Sequence, residues 1–234
     1  MLEAGCGVGA QTIPLARRSP DAHFTSIDVS AESLAEARRR VREAGLTKVE
    51  FQQFDLCALP APPYPPASFD HVFVCFVLEH LRVPLRALRA LQSVLAPSGT
   101  ITVIEGDHGS AYFHPDSEAA HAAIDALVTL QKVAGGDALI GRRLYPLMVE
   151  AGISDVSVSP RMVYVDASHP ELVEGFIKKT FTEMVEGVRE EAVSTGLVDA
   201  VAFDSGIHDL YRTAEPGGVF CYTFFKATGR KPAR

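Results

Sequence analysis

Short apolar segments alternate with amphipathic ones through residues 1–106, and this alternation constrains the fold more than any other feature of the sequence. Strand-like runs are expected at residues 23–28, 49–54, 69–77 and 100–105. Between them, residues 31–44 and 84–95 carry apolar side chains at helical spacing on one face. Strands that alternate with crossover helices are typical of a parallel sheet. The sequence therefore predicts an α/β fold.

The second half continues less regularly. Residues 116–132 and 170–195 are expected to be helical, and residues 153–165 and 218–228 are expected to be strands. A turn at 96–99 should end the helix before it, and the proline-rich stretch 60–66 should be a loop. We interpret the whole as a single domain, 1–234, with helical insertions at about 107–140 and 166–216.

Composition excludes several classes of protein. The net charge of -7 and the pI near 5.6 argue against a nucleic-acid partner or an anionic membrane surface. The longest apolar run, 72–78, is far shorter than the roughly 20 residues of a membrane span. The 4 cysteines show no C-x-x-C spacing and are expected to be reduced thiols, so we predict a cytoplasmic protein.

A glycine cluster follows the first few residues. Gly5, Gly7 and Gly9 occupy every second position just before a helix-compatible stretch, where glycine allows positive φ and close approach of a ligand to the backbone. Residues 5–10 also satisfy the G-x-G-x-x-A dinucleotide fingerprint. A tight turn without a ligand is the alternative.

Three acidic residues lie at the ends of successive predicted strands. Asp28 is placed to bind ribose hydroxyls, although it could instead cap the next helix. Asp55 is placed to accept from an adenine amino group, with a simple turn as the alternative. Glu3 discriminates between ligands, because a carboxylate beside the glycines would repel a pyrophosphate. It suits S-adenosylmethionine, which carries an ammonium and a sulfonium and no phosphate.

The chain resembles the class I S-adenosylmethionine-dependent methyltransferases, particularly the small-molecule branch similar to the ubiquinone-biosynthesis enzymes. The matching segments are LEAGCGVG at 2–9, SIDVS at 26–30, FDL at 54–56, FDHVFVCFVLEHL at 69–81 and LRALQSVLAPSGTITVIEG at 88–106. The resemblance covers residues 1–106 specifically and the closing strands loosely.

The resemblance implies a doubly wound, Rossmann-like, mostly parallel seven-stranded sheet with helices on both faces and helical lid insertions. It also implies S-adenosylmethionine as the cofactor. The implied cofactor-binding residues are Glu3, Ala4, Gly5, Cys6 and Gly7 beside the methionine portion, Asp28 and Val29 at the ribose, Asp55 and Leu56 at the adenine, and Cys75 and Phe76 on the floor. Family members normally have a helix before the first strand, so the chain is N-terminally short and an upstream segment is expected.

Methyl transfer is an in-line displacement on an activated sulfonium, so a base is needed only if the acceptor must lose a proton. The candidates are His80 after the fourth predicted strand and Asp107 and His108 after the fifth. Hydrogen-bonding or helix-start roles are the alternatives. No metal is expected, because His108, His114 and Asp116 do not have a ligand spacing typical of metal sites.

A Tyr222-x-x-x-Lys226 pair mimics a dehydrogenase motif, but on a predicted strand its members would lie about 13 Å apart, so we set it aside. The acceptor is expected to be a small, partly apolar molecule, because the insertions carry apolar side chains that could form a lid or simply pack a core. These are Tyr112, Phe113, Phe176, Phe181, Met184 and Tyr211.

The predicted function is that of an S-adenosylmethionine-dependent methyltransferase (EC 2.1.1.-). Two alternatives stay open, an NAD-dependent oxidoreductase and a non-catalytic binding module on the same fold.

Overall fold

The computed structural model describes residues 1–56 and 64–233. The strands are β1 (Leu2–Ala4), β2 (Phe24–Asp28), β3 (Val49–Gln53), β4 (Phe69–Cys75), β5 (Leu95–Gly106), β6 (Tyr112–His114), β7 (Ser154–Asp166) and β8 (Val219–Arg230). The α-helices are α1 (Thr12–Arg18), α2 (Ala31–Glu43), α3 (Pro84–Val94), α4 (Glu118–Val133), α5 (Leu144–Glu150), α6 (Pro170–Leu172), α7 (Glu183–Glu186), α8 (Arg189–Ser194) and α9 (Ala200–Arg212). Most of the predicted loop 60–66 lies outside the described residues, as does Cys57.

The strands form an 8-stranded sheet in the order β3-β2-β1-β4-β5-β8-β6, with β7 paired to β8. The first five strands of this order are parallel, which confirms the predicted doubly wound α/β fold. Ala4 lies opposite Ile27 on one side and Val74 on the other. The carboxyl ends of β1, β2 and β4 therefore meet at one edge of the sheet.

The described residues fall into two compact units. The first is drawn from Met1–Glu105, Arg142–Ser159 and Lys226–Arg234, and the second from Gly106–Gly141 and Pro160–Phe225. The second unit includes both of the predicted insertions. That these are insertions within a single domain stays a prediction.

Two helices of the first unit, α2 and α3, form where the apolar periodicity predicts them. Leu34, Ala37 and Val41 form the buried face of α2, and Ser30 caps this helix by accepting a hydrogen bond from the Ser33 N–H at 3.1 Å. α3 buries its own apolar stripe in the same way. These two helices pack through residues that a helical spacing of apolar side chains identifies.

The predicted turn at 96–99 is built into a strand. β5 begins at Leu95, and its pairing with β4 shifts register, because Leu95 lies opposite Phe69 whereas Thr100 lies opposite His71. Ser98 adopts a positive φ of 62° inside this irregularity. The polypeptide thus turns where Pro and Gly predict a turn, and the segment still pairs with β4 on either side of the irregularity.

The second unit departs further from the sequence prediction. The short strand β6 pairs antiparallel with β8, so the sheet has one more strand than the resemblance implies. The predicted helix 170–195 is divided into α6, a π-helix at Val173–Thr182, α7 and α8. α9 lies within the predicted helical insertion 166–216, although no helix was predicted at these residues. A side chain at Gly206 would clash with the Ala119 carbonyl of α4, so glycine permits the close helix contact.

Within the residues that the structure describes, no helix combines the length and the apolar character needed to span a membrane.

Candidate functional site

The glycine loop between β1 and α1 is held on the end of β2. The N–H groups of Gly5 and Cys6 both donate to the Ile27 carbonyl, at 2.8 Å and 3.0 Å. Gly5 has a φ of 79° and Gly7 a φ of 50°, backbone conformations that residues other than glycine rarely adopt. The loop therefore needs its glycines for its backbone shape.

The space around the loop differs from one glycine to the next. A Cβ at Gly5 would clash with Val77 Cγ2, and a Cβ at Gly9 would lie 3.2 Å from that of Ala37 in α2. No described atom lies within 4 Å of the corresponding position at Gly7. The loop is thus packed at its two ends and open at Gly7, where a ligand can approach the backbone.

Asp28 ties the end of β2 to this open position. Its Oδ2 accepts from the Gly7 N–H at 2.8 Å, and its Oδ1 accepts from the Ser30 N–H at 2.9 Å. Ser30, not Asp28, caps α2, so the structure does not support the capping alternative for Asp28. Each carboxylate oxygen has a second acceptor position. Partly exposed Asp28 can therefore still accept from the hydroxyls of a sugar.

Glu3 lies buried beneath the loop. Its Oε2 accepts from the hydroxyls of Thr12 and Ser26, both at 2.7 Å, which ties β1 to α1 and β2. Burial raises the pKa of Glu3, against the lowering effect of these two hydrogen bonds. Its Oε1 has no hydrogen-bond partner among the described residues. An unpaired buried carboxylate oxygen is costly, and a ligand with a donor or a positive charge would compensate it.

The residues predicted for the adenine lie on the neighbouring strand end. Gln53, the last residue of β3, pairs with Asp28, and the Phe54 N–H donates to the Asp28 carbonyl at 2.9 Å. Asp55 is exposed and Leu56 is buried. Val29, which follows Asp28, is 61% exposed. Asp28 thus ends β2 and Asp55 follows the adjacent β3, while the contact of Asp55 with adenine stays a prediction.

Cys75 ends β4 and Phe76 follows it. Burial first, and then the charges of Glu105, Glu3 and Glu79, raise the pKa of the Cys75 thiol to about 12. Phe76 has a positive φ of 57° and is 38% exposed. The Cys75 thiol therefore stays neutral at ordinary pH.

His80, the first candidate base, also belongs to the first unit. Its side chain is largely exposed, and its Nε2 lies 3.5 Å from Oε1 of the buried Glu79. This weak contact does not fix the ring for proton transfer.

Asp107 and His108 belong to the second unit, and both are buried. The Nδ1 atom of the His108 ring lies 2.7 Å from the Tyr222 hydroxyl. The backbone N–H of His108 donates to the Ala138 carbonyl at 2.9 Å. A side chain at Gly106 would clash with that hydroxyl, so glycine makes room for the His108–Tyr222 pair. The Asp107 carbonyl accepts from the Ser110 N–H at 2.9 Å.

The predicted lid residues are divided between core and surface. Phe113 and Phe181 are buried in the hydrophobic core of the second unit, and Phe176, Met184 and Tyr211 pack against it. Tyr112 is 51% exposed. Core packing therefore accounts for Phe113 and Phe181, and the lid remains a prediction.

Over residues 1–56 and 64–233 there is no group of three or more His, Cys, Asp or Glu side chains arranged to hold a metal ion. Asp116 instead pairs with His121, at 2.8 Å from its Nε2.

Sequence reasoning missed two functional candidates. Tyr222 entered only as half of a pair with Lys226, and both do lie on β8, but the partner of Tyr222 is His108, which no local pattern connects to it. Glu105 ends a predicted strand as Asp28 does, yet nothing in its spacing reveals that it is buried. The sequence signal that could have singled out Glu105 is an acidic residue at the end of a predicted strand, directly before Gly106.

Comparison with known proteins agrees with this geometry. Residues 1–99 match a family model described as a methyltransferase domain. An uncharacterized protein in transposon TN4556 of Streptomyces fradiae is 33% identical over 204 residues, which are 86% of this chain and 54% of that protein. Demethylmenaquinone methyltransferase of Thermus thermophilus is 34% identical over 105 residues, 45% of this chain and 46% of the enzyme.

Among solved structures, phosphoethanolamine N-methyltransferase 2 of Haemonchus contortus in complex with S-adenosyl-L-methionine gives a TM-score of 0.60 at 18% identity, covering 99% of this chain and 48% of that one. The chain spans about half the length of each of the two curated relatives named above. The methyltransferase-domain match over residues 1–99 and the similarity to demethylmenaquinone methyltransferase support the predicted resemblance to the class I S-adenosylmethionine-dependent methyltransferases, and the solved structure shares the fold.

Proposed function

We propose that the chain binds S-adenosylmethionine at the carboxyl edge of β1, β2 and β3 and transfers its methyl group to a small-molecule acceptor. One observation carries the cofactor assignment. Asp28 accepts a hydrogen bond from the N–H of Gly7. The Cβ position of Gly7 has open space beside it, whereas those of Gly5 and Gly9 are closely packed. A carboxylate that can bind sugar hydroxyls thus lies next to an open stretch of loop backbone, as a ligand that contains a nucleoside requires.

The residues fit this cofactor. The backbone of residues 4–7 would hold the methionine portion above Glu3, whose unpaired Oε1 suits a cationic ligand. Asp28 and Val29 would hold the ribose, Asp55 and Leu56 would border the adenine, and Cys75 and Phe76 would line the floor. When bound, the cofactor supplies a methyl group on a positively charged sulfur, and the carbon–sulfur bond breaks as the acceptor atom bonds to the methyl carbon.

His108 is the proposed base for acceptors that must lose a proton. The Tyr222 hydroxyl, 2.7 Å from Nδ1, fixes the orientation of the ring. If Nδ1 carries its hydrogen and donates to Tyr222, the lone pair of Nε2 is the one able to accept a proton. His80 is a weaker candidate, because its side chain is largely exposed and its 3.5 Å contact with Glu79 does not fix the ring, and Asp107 stays the other candidate.

A small, partly apolar acceptor is supported by two observations. The net charge of -7 disfavours polyanions such as nucleic acids. Demethylmenaquinone methyltransferase of Thermus thermophilus, a relative by sequence, acts on a small molecule by its name. A cytoplasmic location is supported by Cys6, Cys75 and Cys221, which are free thiols.

The test is transfer of an isotope-labelled methyl group from S-adenosylmethionine to panels of small molecules, peptides and RNA. Labelling confined to small molecules is expected, and labelling of peptides or RNA alone would contradict the acceptor assignment. Cofactor binding without transfer to any acceptor would favour the non-catalytic binding module. His108→Gln and Phe176→Ala then test the base and the lid, and His80→Gln is the matched control, expected to retain activity if His108 is the base.

A further inference from the structure

Glu105 is a fully buried carboxyl group at the end of β5, in the same unit as the glycine loop. Its Oε1 accepts from two successive backbone N–H groups, that of Val77 at 3.1 Å and that of Leu78 at 2.8 Å. The N–H of Glu79 interacts with the same carboxyl. A single side chain thus binds the backbone of three consecutive residues that follow β4.

These residues begin a turn with an unfavourable conformation. Phe76 is not a glycine, yet its φ is 57°, in the left-handed region. Such a conformation persists only where surrounding contacts impose it. The Phe76 N–H donates to the Ile104 carbonyl at 2.9 Å, and the next two N–H groups go to Glu105. β5 therefore holds the turn through one backbone carbonyl and one side chain.

The turn at residues 76–78 also contacts the glycine loop. Val77 fills the space beside Gly5 so closely that a Cβ there would lie within 3.0 Å of it. A displacement of Val77 would therefore disturb the packing at this end of the loop.

Burying the Glu105 carboxyl group at this position costs free energy. Its Oε2 is buried and has no hydrogen-bond partner among the described residues, and burial raises the pKa of Glu105 to about 8. An apolar side chain would avoid that cost but would leave the N–H groups of Val77 and Leu78 unpaired. The hydrogen bonds that Oε1 accepts offset the cost of burying the carboxyl group.

We propose that Glu105 is a positioning residue that holds residues 76–78 against the glycine loop and thereby sets the shape of the cofactor site. The inference rests on the proposed binding of S-adenosylmethionine. Glu105 touches the turn and acts through it, so its effect on the cofactor is indirect.

Three variants test the role. Glu105→Ala removes the acceptor, Glu105→Gln keeps an acceptor oxygen of the same reach, and Val103→Ala is a control that truncates a buried side chain of the same strand. S-adenosylhomocysteine affinity is measured by calorimetry at pH 6.5, at a temperature where circular dichroism shows each variant folded. Hydrogen exchange at the Val77 and Leu78 amides is measured without ligand.

Glu105→Ala is expected to weaken S-adenosylhomocysteine binding at least tenfold and to speed exchange at both amides. Glu105→Gln should stay within about threefold of the wild type, and Val103→Ala should bind normally despite lower stability. Normal binding by folded Glu105→Ala, or equal losses in the Ala and Gln variants, would overturn the proposal. Failure of the wild type to bind would refute the proposed function instead, and unchanged exchange in Glu105→Ala would separately refute the holding of the turn.

Discussion

Gly5→Ala should destabilise the protein more than the same change at other glycines with a left-handed backbone. The φ of 79° at Gly5 costs an alanine about 1–2 kcal/mol on its own. The new methyl group would also clash with Val77, whose Cβ lies 3.3 Å from the position it would occupy. Val77 is β-branched, so its side chain has little freedom to move aside.

The magnitude follows from these two contributions. Overpacking of a buried site costs about 1–3 kcal/mol, which added to the backbone cost gives about 2–5 kcal/mol for Gly5→Ala. Gly45 is the matched control, because it has a φ of 70° and no described atom within 4 Å of its Cβ position. Gly45→Ala should lose only the backbone contribution, about 1–2 kcal/mol.

The assay is urea unfolding of the wild type and both variants, followed by circular dichroism. A second change, Val77→Ala, should restore part of the loss in Gly5→Ala because it removes the clashing methyl groups. If Gly5→Ala were no less stable than Gly45→Ala, or if Val77→Ala gave no relief in the double variant, the close packing of the loop against the turn would be refuted.

Three further outcomes are expected. Glu3→Gln should weaken binding of S-adenosylmethionine by about 1 kcal/mol more than binding of the uncharged-sulfur product S-adenosylhomocysteine, and calorimetry showing equal losses would rule out a charge effect. Cys6 and Cys75 should resist iodoacetamide at pH 8, because burial raises the pKa of each thiol to about 12, and mass spectrometry showing labelling as fast as that of glutathione would contradict this. The pKa of Glu105 is raised to about 8 from about 4.3 in the unfolded chain, mainly by burial and also by the charge of Glu79, so its neutral form favours folding. Urea unfolding should therefore show the wild type losing stability relative to Glu105→Gln as the pH rises from about 5 to 8, and a constant difference would contradict the buried environment.

Local signals predicted the first half of the fold well. The strands at β2 and β3 and the helices α2 and α3 lie within a residue or two of their expected bounds, because alternation and helical spacing of apolar residues reflect burial directly. The second unit was harder. Its π-helix at Val173–Thr182 lies inside the predicted helix 170–195, and the apolar spacing that predicts a helix did not reveal its π form.

The site divides along the same line. Gly7 and Asp28 were predicted, and the structure joins them by a hydrogen bond, because a motif at one strand end and an acid at the next must meet in a parallel sheet. The contact of His108 with Tyr222 spans 114 positions of sequence, so no local pattern could reveal it. Glu105 was missed because burial of a carboxyl group is a property of the folded chain.

Calorimetric titration of the wild type and Asp28→Ala with S-adenosylmethionine, and of the wild type with NAD, tests the cofactor assignment most directly. The wild type should bind S-adenosylmethionine and not NAD. Asp28→Ala should weaken that binding by about 1.5–3 kcal/mol while still unfolding cooperatively, because it removes a charged acceptor of hydrogen bonds. Binding of NAD alone, or an unchanged dissociation constant in folded Asp28→Ala, would contradict the assignment.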